Sequence, residues 1–348
     1  MTEKVLVTGG TGFLGRHAVT QLLEQGYHVR TTVRSLRREA EVRAAVDAAG
    51  VSPDAHLEVV AADLSSDHGW AAAADGMRYV LHIASPIPAV APKTEDELII
   101  PARDGALRVL RAARDAGVER VVMTSSFWAI GFGHTGAGPF DETVWTNVDG
   151  PITPYVKSKT LAERAAWRFM DDEGGPLELV TINPTGIFGP AIGPGHSPSL
   201  GLIKAMLDGK LPFLPDIKSG VVDVRDLAAL HIMAMTAEHV GGQRFIAAGG
   251  YVSMAEIAEM LRSGLGQAAA KIPTWQIPTW LLKTVSLVVK PMREMSATAG
   301  VYREPALNKA TRALGWRPRP TRETIIDSAR SLLALDHEPE PSGARSGL

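Results

Sequence analysis

Short, continuously apolar runs alternate with amphipathic stretches through the first half of the chain. Val5-Leu6-Val7 reads as a buried strand, and the helical pattern after it runs to Gln25 and stops at Gly26. The β-rich segment 28–33 follows, and 57–60, 79–83, 120–123 and 177–182 repeat the theme. Between them lie helical segments such as Leu107 to Ala116, ended by Gly117, and Leu161 to Met170, ended by Gly174. Strands that are apolar on both faces, separated by helices, predict βαβ units: an α/β fold with a doubly wound parallel sheet.

The pattern changes after Asn183. Residues 184–220 are rich in Gly and Pro and read as loops with one helix near Leu200 to Asp208. A strand–helix–strand pattern returns from Val221 to Ala247, and the remainder to about Ala334 reads as a small, mostly helical lobe. The expected organisation is a core over 1–184 with a returning segment near 221–248. A smaller C-terminal substrate lobe covers 185–220 and 249–334, and a polar tail expected to be disordered covers 335–348. The most membrane-like stretch, Trp280 to Val289, is short, holds Lys283 and lies between Pro278 and Pro291. It reads as an amphipathic helix, so no membrane span is expected.

Composition narrows the function classes. Apolar residues make up 45% of the chain, which excludes disorder. Lys and Arg number 36 against 38 Asp and Glu, so no basic excess points to nucleic acid. The chain has no cysteine, which removes disulfides, iron–sulfur clusters and thiolate metal sites, and no metal is expected. With no signal-peptide pattern at the N-terminus, the expected location is cytoplasmic.

The run Gly9-Gly10-Thr11-Gly12-Phe13-Leu14-Gly15 follows the first strand and opens the first helix, the context a dinucleotide fingerprint requires. Gly9 permits the tight turn, Gly12 lets backbone approach a pyrophosphate, and Gly15 permits close helix–sheet packing, so the sheet is of the Rossmann type. An NAD site usually has an acidic residue at the end of the second strand. Here Arg34 stands there, with Arg37 and Arg38 after it, and guanidinium groups suit a 2′-phosphate, so the expected cofactor is NADP(H). Asp63 and Leu64 follow the third strand, where adenine would lie. Ile83, Ala84 and Ser85 end the fourth, where small residues let a ribose rest on backbone. His82 reads as a core histidine.

Tyr155 and Lys159 are four apart at a helix start and so share a face. Carbonyl reduction builds negative charge on oxygen; a phenol can protonate it, and an adjacent ammonium favours the phenolate. A serine at the end of the fifth strand, in Thr124-Ser125-Ser126, supplies a further donor.

Together these features resemble the extended short-chain dehydrogenase/reductases, and within them the dihydroflavonol reductase, cinnamoyl-CoA reductase and aldehyde/ketone reductase group. The resemblance covers about residues 4–330. It rests on the Gly-rich turn, the Arg34 strand end, 123–126, Phe140-Asp141-Glu142-Thr143-Val144-Trp145, 155–159, 183–190 and 223–228. It implies roles for Ser126 rather than Ser125, for Tyr155 as proton donor and for Lys159 on the nicotinamide ribose. Arg34 would meet the 2′-phosphate, Pro184 and Thr185 would lie beside nicotinamide, and Ser199 would contact the cofactor. Pro101 and Gly105 match a helix motif in which Arg108 replaces an Asn found in many relatives. Phe127, Trp128, His134 and the Pro-rich 190–215 region are expected to line an apolar pocket for a small-molecule aromatic or aliphatic carbonyl. The expected activity is NADPH-dependent carbonyl reduction by a monomer or homodimer. A sugar-nucleotide epimerase or dehydratase, a hydroxysteroid-type dehydrogenase and a non-catalytic NADP sensor stay open.

Overall fold

The computed structural model describes residues 3–52, 56–86, 92–136, 138–193, 197–287, 296 and 299–337. Its large sheet is all-parallel and holds β1 (Lys4–Thr8), β2 (His28–Val33), β3 (Leu57–Ala61), β4 (Tyr79–His82), β5 (Arg120–Thr124), β6 (Glu178–Pro184) and β9 (Arg244–Ala247). The strand order is β3-β2-β1-β4-β5-β6-β9.

The first strand shows why the sequence is apolar without alternation. Val5 and Val7 pack on one face with Leu14, Ala18 and Leu22 of α1 (Phe13–Glu24) and Leu227 of α7 (Val224–Thr236). Leu6 points to the other face, among Val109 and Leu110 of α4 (Asp96–Asp115) and Ala166 and Phe169 of α5 (Pro154–Glu173). Both faces are covered, so period-2 alternation has no polar side to show. Each leucine buried this way contributes roughly 1.5–3 kcal/mol. The shorter α2 (Glu39–Ala48) and α3 (Trp70–Ala74) connect β2 to β3 and β3 to β4.

Two helices carry the site and start where local chemistry lets them. Thr153 caps α5, its hydroxyl accepting the Val156 amide at 3.3 Å, and Pro154 opens the helix, where no amide proton is needed. Tyr155 therefore sits in the first turn. Helix α4 begins at Asp96, well before the Leu107 start that the pattern suggests. Pro101 interrupts the sequence signal but not the helix, because Asp96 and Glu97 suit its positive N-terminal end and Ile99, Ala102 and Gly105 continue its buried side.

Among the described residues the second lobe is mostly helical, but it also holds three short strands. β7 (Gly186–Phe188), β8 (Lys218–Asp223) and β10 (Gly250–Ser253) form a small sheet in the order β10-β8-β7. It shares a core with α6 (Pro198–Leu207), α8 (Met254–Leu265) and α11 (Thr321–His337), including Phe188, Leu200, Leu261 and Ile325. β8 is the strand the pattern shows from Val221, while β7 and β10 are too short to show in it and are held by pairing. The returning segment is accordingly split: β8 joins the small sheet, while α7 packs on α1 and β9 extends the large one. The described residues also include two short helices, α9 (Thr279–Ser286) and α10 (Lys309–Leu314). Leu282 of α9 is buried and Trp280 exposed, an amphipathic arrangement; Val288, Val289 and Pro291 lie outside the described residues. Leu335, Asp336 and His337 belong to α11 rather than to a tail, and Lys204 donates to Asp336 at 2.6 Å. Residues 338–348 lie outside the described residues. Among those described, no helix is long and apolar enough to cross a membrane.

Candidate active site

Segments leaving the C-terminal edge of the large sheet carry nearly all the candidate residues. Gly9 has φ +78°, a conformation that favours glycine, and the Gly12 amide donates to its carbonyl at 2.9 Å. A Cβ on Gly15 would run into that same carbonyl, so α1 starts hard against the turn. Gly12 caps α1 without a side chain, which leaves the first helical amides open to an anion. Thr11 lies in the turn, and Phe13 and Leu14 form the first positions of α1. Two bonds to Thr32, from the Gly9 amide to Oγ1 at 3.1 Å and from the Gly10 amide to the carbonyl at 3.2 Å, tie the turn to β2. Thr8 Oγ1 accepts the Ile83 and Ala84 amides at 3.0 and 2.9 Å, which leaves its proton for His82 Nδ1 at 2.9 Å. Burial, and then the charge of Lys159, push His82 down to about 4, so it is neutral with its proton on Nε2.

The arginines beyond β2 separate into two kinds. Arg30 is held by Glu58 at 2.7 Å and by the carbonyls of Ala72, Ala73 and Asp75. Arg38 makes a two-pronged pair with Glu41, both bonds 2.8 Å. Arg34 and Arg37 are exposed and form no ion pair among the described residues. Asp63 accepts the amide and hydroxyl of Ser65 at 2.8 and 2.7 Å; these bonds hold its carboxyl below the usual range, and Arg34 adds to the effect. Leu64 is buried beside Gly105, and Arg108 donates to the Leu64 carbonyl at 2.8 Å and to Asp67. Arg108 is thus engaged with the loop after β3.

On α5, Lys159 Nζ donates to Ser85 Oγ at 2.6 Å and lies 5.6 Å from the centre of the Tyr155 ring. Burial lowers Lys159 to about 8. Tyr155 keeps 41% of its surface open, yet the protein packed around its hydroxyl raises its pKa. The expectation that Lys159 lowers the phenol is therefore not met here. The ammonium is bonded to Ser85 rather than to the phenol, and loss of water around the hydroxyl dominates. The serine pair is resolved by its partners: Ser125 donates to Glu163, while Ser126 accepts the Trp128 amide at 3.2 Å and keeps its own proton for another acceptor. His82, Ser85, Ser125, Lys159 and Glu163 line a cavity of about 30 Å³. Among the described residues, no group of three or more His, Asp or Glu side chains could hold a metal ion.

Residues 5–248 match the model of the NAD dependent epimerase/dehydratase family. The chain belongs to that family. It is an extended short-chain dehydrogenase/reductase, and an oxidoreductase. Tetraketide alpha-pyrone reductase 2 of Arabidopsis thaliana is 33% identical over 276 residues, covering 75% of this chain and 82% of that protein. Dihydroflavonol 4-reductase of Zea mays is 32% identical over 282 residues, covering 79% and 76%. Among solved structures, yeast methylglyoxal/isovaleraldehyde reductase Gre2 complexed with NADPH superposes with a TM-score of 0.78 at 25% identity, covering 96% of this chain and 99% of that one.

The other expected residues of this family member lie in different surroundings. Pro184 ends β6 and is buried, and the Thr185 hydroxyl donates to the Ala247 carbonyl at 3.3 Å. Ser199 lies in the first turn of α6, whose cap is Ser197, accepting the Leu200 amide at 3.3 Å. Phe127 is taken up in a core with Ile130, Phe140 and Ile246, so it does not line an open pocket as expected. Trp128 is half-buried against Phe132, ring centres 4.6 Å apart, and His134 Nε2 donates to the Trp145 carbonyl at 2.8 Å. Sequence reasoning missed Glu163, Asn183 and Arg244, which join one buried network. Glu163 carried a signal: it follows Lys159 by four, as Lys159 follows Tyr155.

Proposed function

We propose that this chain reduces a ketone or aldehyde carbonyl to an alcohol with NADPH, with Tyr155 as proton donor. The juxtaposition of Tyr155, Lys159 and Ser85 at the sheet edge that also carries the Gly-rich turn and Ser126 is the observation that carries this reading. The residues present fit NADPH: a turn that no larger side chain could replace at Gly15, a helix start with no side-chain cap, and Arg34 and Arg37 outside any ion pair among the described residues. Gly9, Gly12 and the start of α1 would hold the pyrophosphate, Arg34 and Arg37 the 2′-phosphate, and Lys159 and Ser85 the nicotinamide ribose. When bound, the reduced nicotinamide supplies hydride to the carbonyl carbon.

The protein's own groups do the rest. Ser126 and Tyr155 hydroxyls hold the carbonyl oxygen and polarise it. A phenol with a raised pKa is fully protonated at neutral pH, the form a donor needs. Tyr155 gives its proton to the alkoxide. Trp128, Phe132 and His134 offer an apolar and aromatic surface to a small carbonyl substrate.

The test is turnover of NADPH, beside NADH, with aryl ketones, α-keto esters, aliphatic aldehydes and steroid ketones, using the parent and Tyr155→Phe. The expected result is NADPH-preferring turnover that falls by about 10²–10⁴ in the variant while NADPH binding persists. Near-full turnover in Tyr155→Phe would refute the mechanism. No turnover of any substrate, with tight dinucleotide binding, would favour the epimerase reading.

A further inference from the structure

Glu163 lies on the α5 face that carries Tyr155 and Lys159 and is 1% exposed. Ser125 Oγ and Asn183 Nδ2 donate to its Oε2, the latter at 2.7 Å. Thr181 Oγ1, Trp167 Nε1 and Arg244 Nε donate to its Oε1 at 3.1, 3.4 and 2.7 Å. Five donors thus converge on one side chain, and only a carboxylate, with acceptor capacity on both oxygens, can serve them all. Asn183 Nδ2 also donates to the Ser126 carbonyl at 3.1 Å, and Ser125 is the residue just before Ser126. Arg244, on β9, binds the carbonyls of Glu142 and Val144 at 2.7 and 3.2 Å and lies 3.8 Å from the centre of the Trp145 ring. The carboxylate therefore connects the helix bearing Tyr155 and Lys159, the β5 end bearing Ser126, the β6 end bearing Pro184, and the segment on which His134 rests through Trp145.

We propose that Glu163 is a positioning residue that sets Ser126 against Tyr155 and Lys159, acting through Ser125 and Asn183. This rests on the reading of those three residues as the catalytic groups. Strand ends are otherwise free to shift relative to a helix packed across them, and misplacement by about 1 Å can cost a hundredfold in rate. A common buried acceptor removes that freedom. Glutamine has the same shape but turns an NH₂ toward at least two of the donors, whichever way the amide is placed.

The experiment is a double-mutant cycle in kcat between Glu163→Gln and Ser126→Ala, with NADPH Kd and thermal melting measured on every variant. Glu163→Gln is expected to lower kcat about tenfold to a hundredfold with NADPH Kd within about threefold of the parent. In the Ser126→Ala background the same change is expected to cost less than about threefold, since the group it positions is gone. An equal loss in both backgrounds, or an unchanged kcat in a folded Glu163→Gln protein, overturns the proposal. Should Glu163→Gln not fold, because Arg244 loses its counter-charge, Ser125→Ala decides. It deletes one donor only, and its kcat is expected to fall by about threefold to tenfold with an unchanged melting curve; a parental kcat overturns the proposal. Failure of the catalytic reading is distinguishable, since it appears as turnover retained by Tyr155→Phe.

Discussion

The cofactor edge and the segment from Phe127 to Trp145 are built differently. At the cofactor edge, short-range geometry places each group: Gly9 turns the chain, Gly15 lets α1 close on the turn, and a four-residue spacing aligns Tyr155 with Lys159. The other region has little regular structure of its own. Its position comes from distant partners: Glu142 accepts the Ile246 amide at 3.0 Å, Arg244 holds two of its carbonyls, and Arg303 donates to His134 and Gly136 carbonyls at 2.6 and 3.0 Å. On the proposed reading, the comparison predicts that binding of the dinucleotide and recognition of the carbonyl substrate are separable by mutation.

The broadest effect is expected from Gly15→Ala. Its Cβ meets backbone, which has no flexible end to move, and overpacking of this kind costs about 1–3 kcal/mol. NADPH and NADH binding should both weaken about tenfold or more, with a lower melting temperature; titration by nucleotide fluorescence and a melting curve check this. Arg34→Ala is more selective. A charge-assisted bond is worth about 1.5–3 kcal/mol, so the NADPH-over-NADH preference in kcat/KM should fall roughly tenfold to a hundredfold while NADH turnover stays. An unaltered preference would mean that Arg34 does not meet the 2′-phosphate. Arg303→Ala should have the smallest effect and fall on the other region, raising substrate KM a few-fold with NADPH Kd unchanged. A change in NADPH Kd as large as the change in KM would show that the two regions are coupled.

Legibility in the sequence follows the same division. The alternation of strands and helices, the turn at Gly9–Gly15 and the Tyr155–Lys159 face could be read because each depends on residues a few positions apart. The small sheet could be read only in part: β8 shows as the strand from Val221, but β7 and β10 are three and four residues long and hold by pairing to it. Phe127 looks like a pocket residue in a string of aromatics, and only its packing on Phe140 and Ile246 shows that it belongs to the core.

By itself, then, the sequence determined the Rossmann-type sheet, the nucleotide turn, the absence of an acidic residue at the end of β2 and the pairing of a phenol with a lysine. These are local properties of the chain, set by side-chain period and backbone freedom. Tertiary structure alone decided that Ser125 turns to Glu163 and leaves Ser126 available, that Lys159 rests on Ser85 and does not lower Tyr155, and that one buried carboxylate joins four elements. Those outcomes depend on which distant groups share a dry interior, where every donor needs an acceptor and every charge a partner.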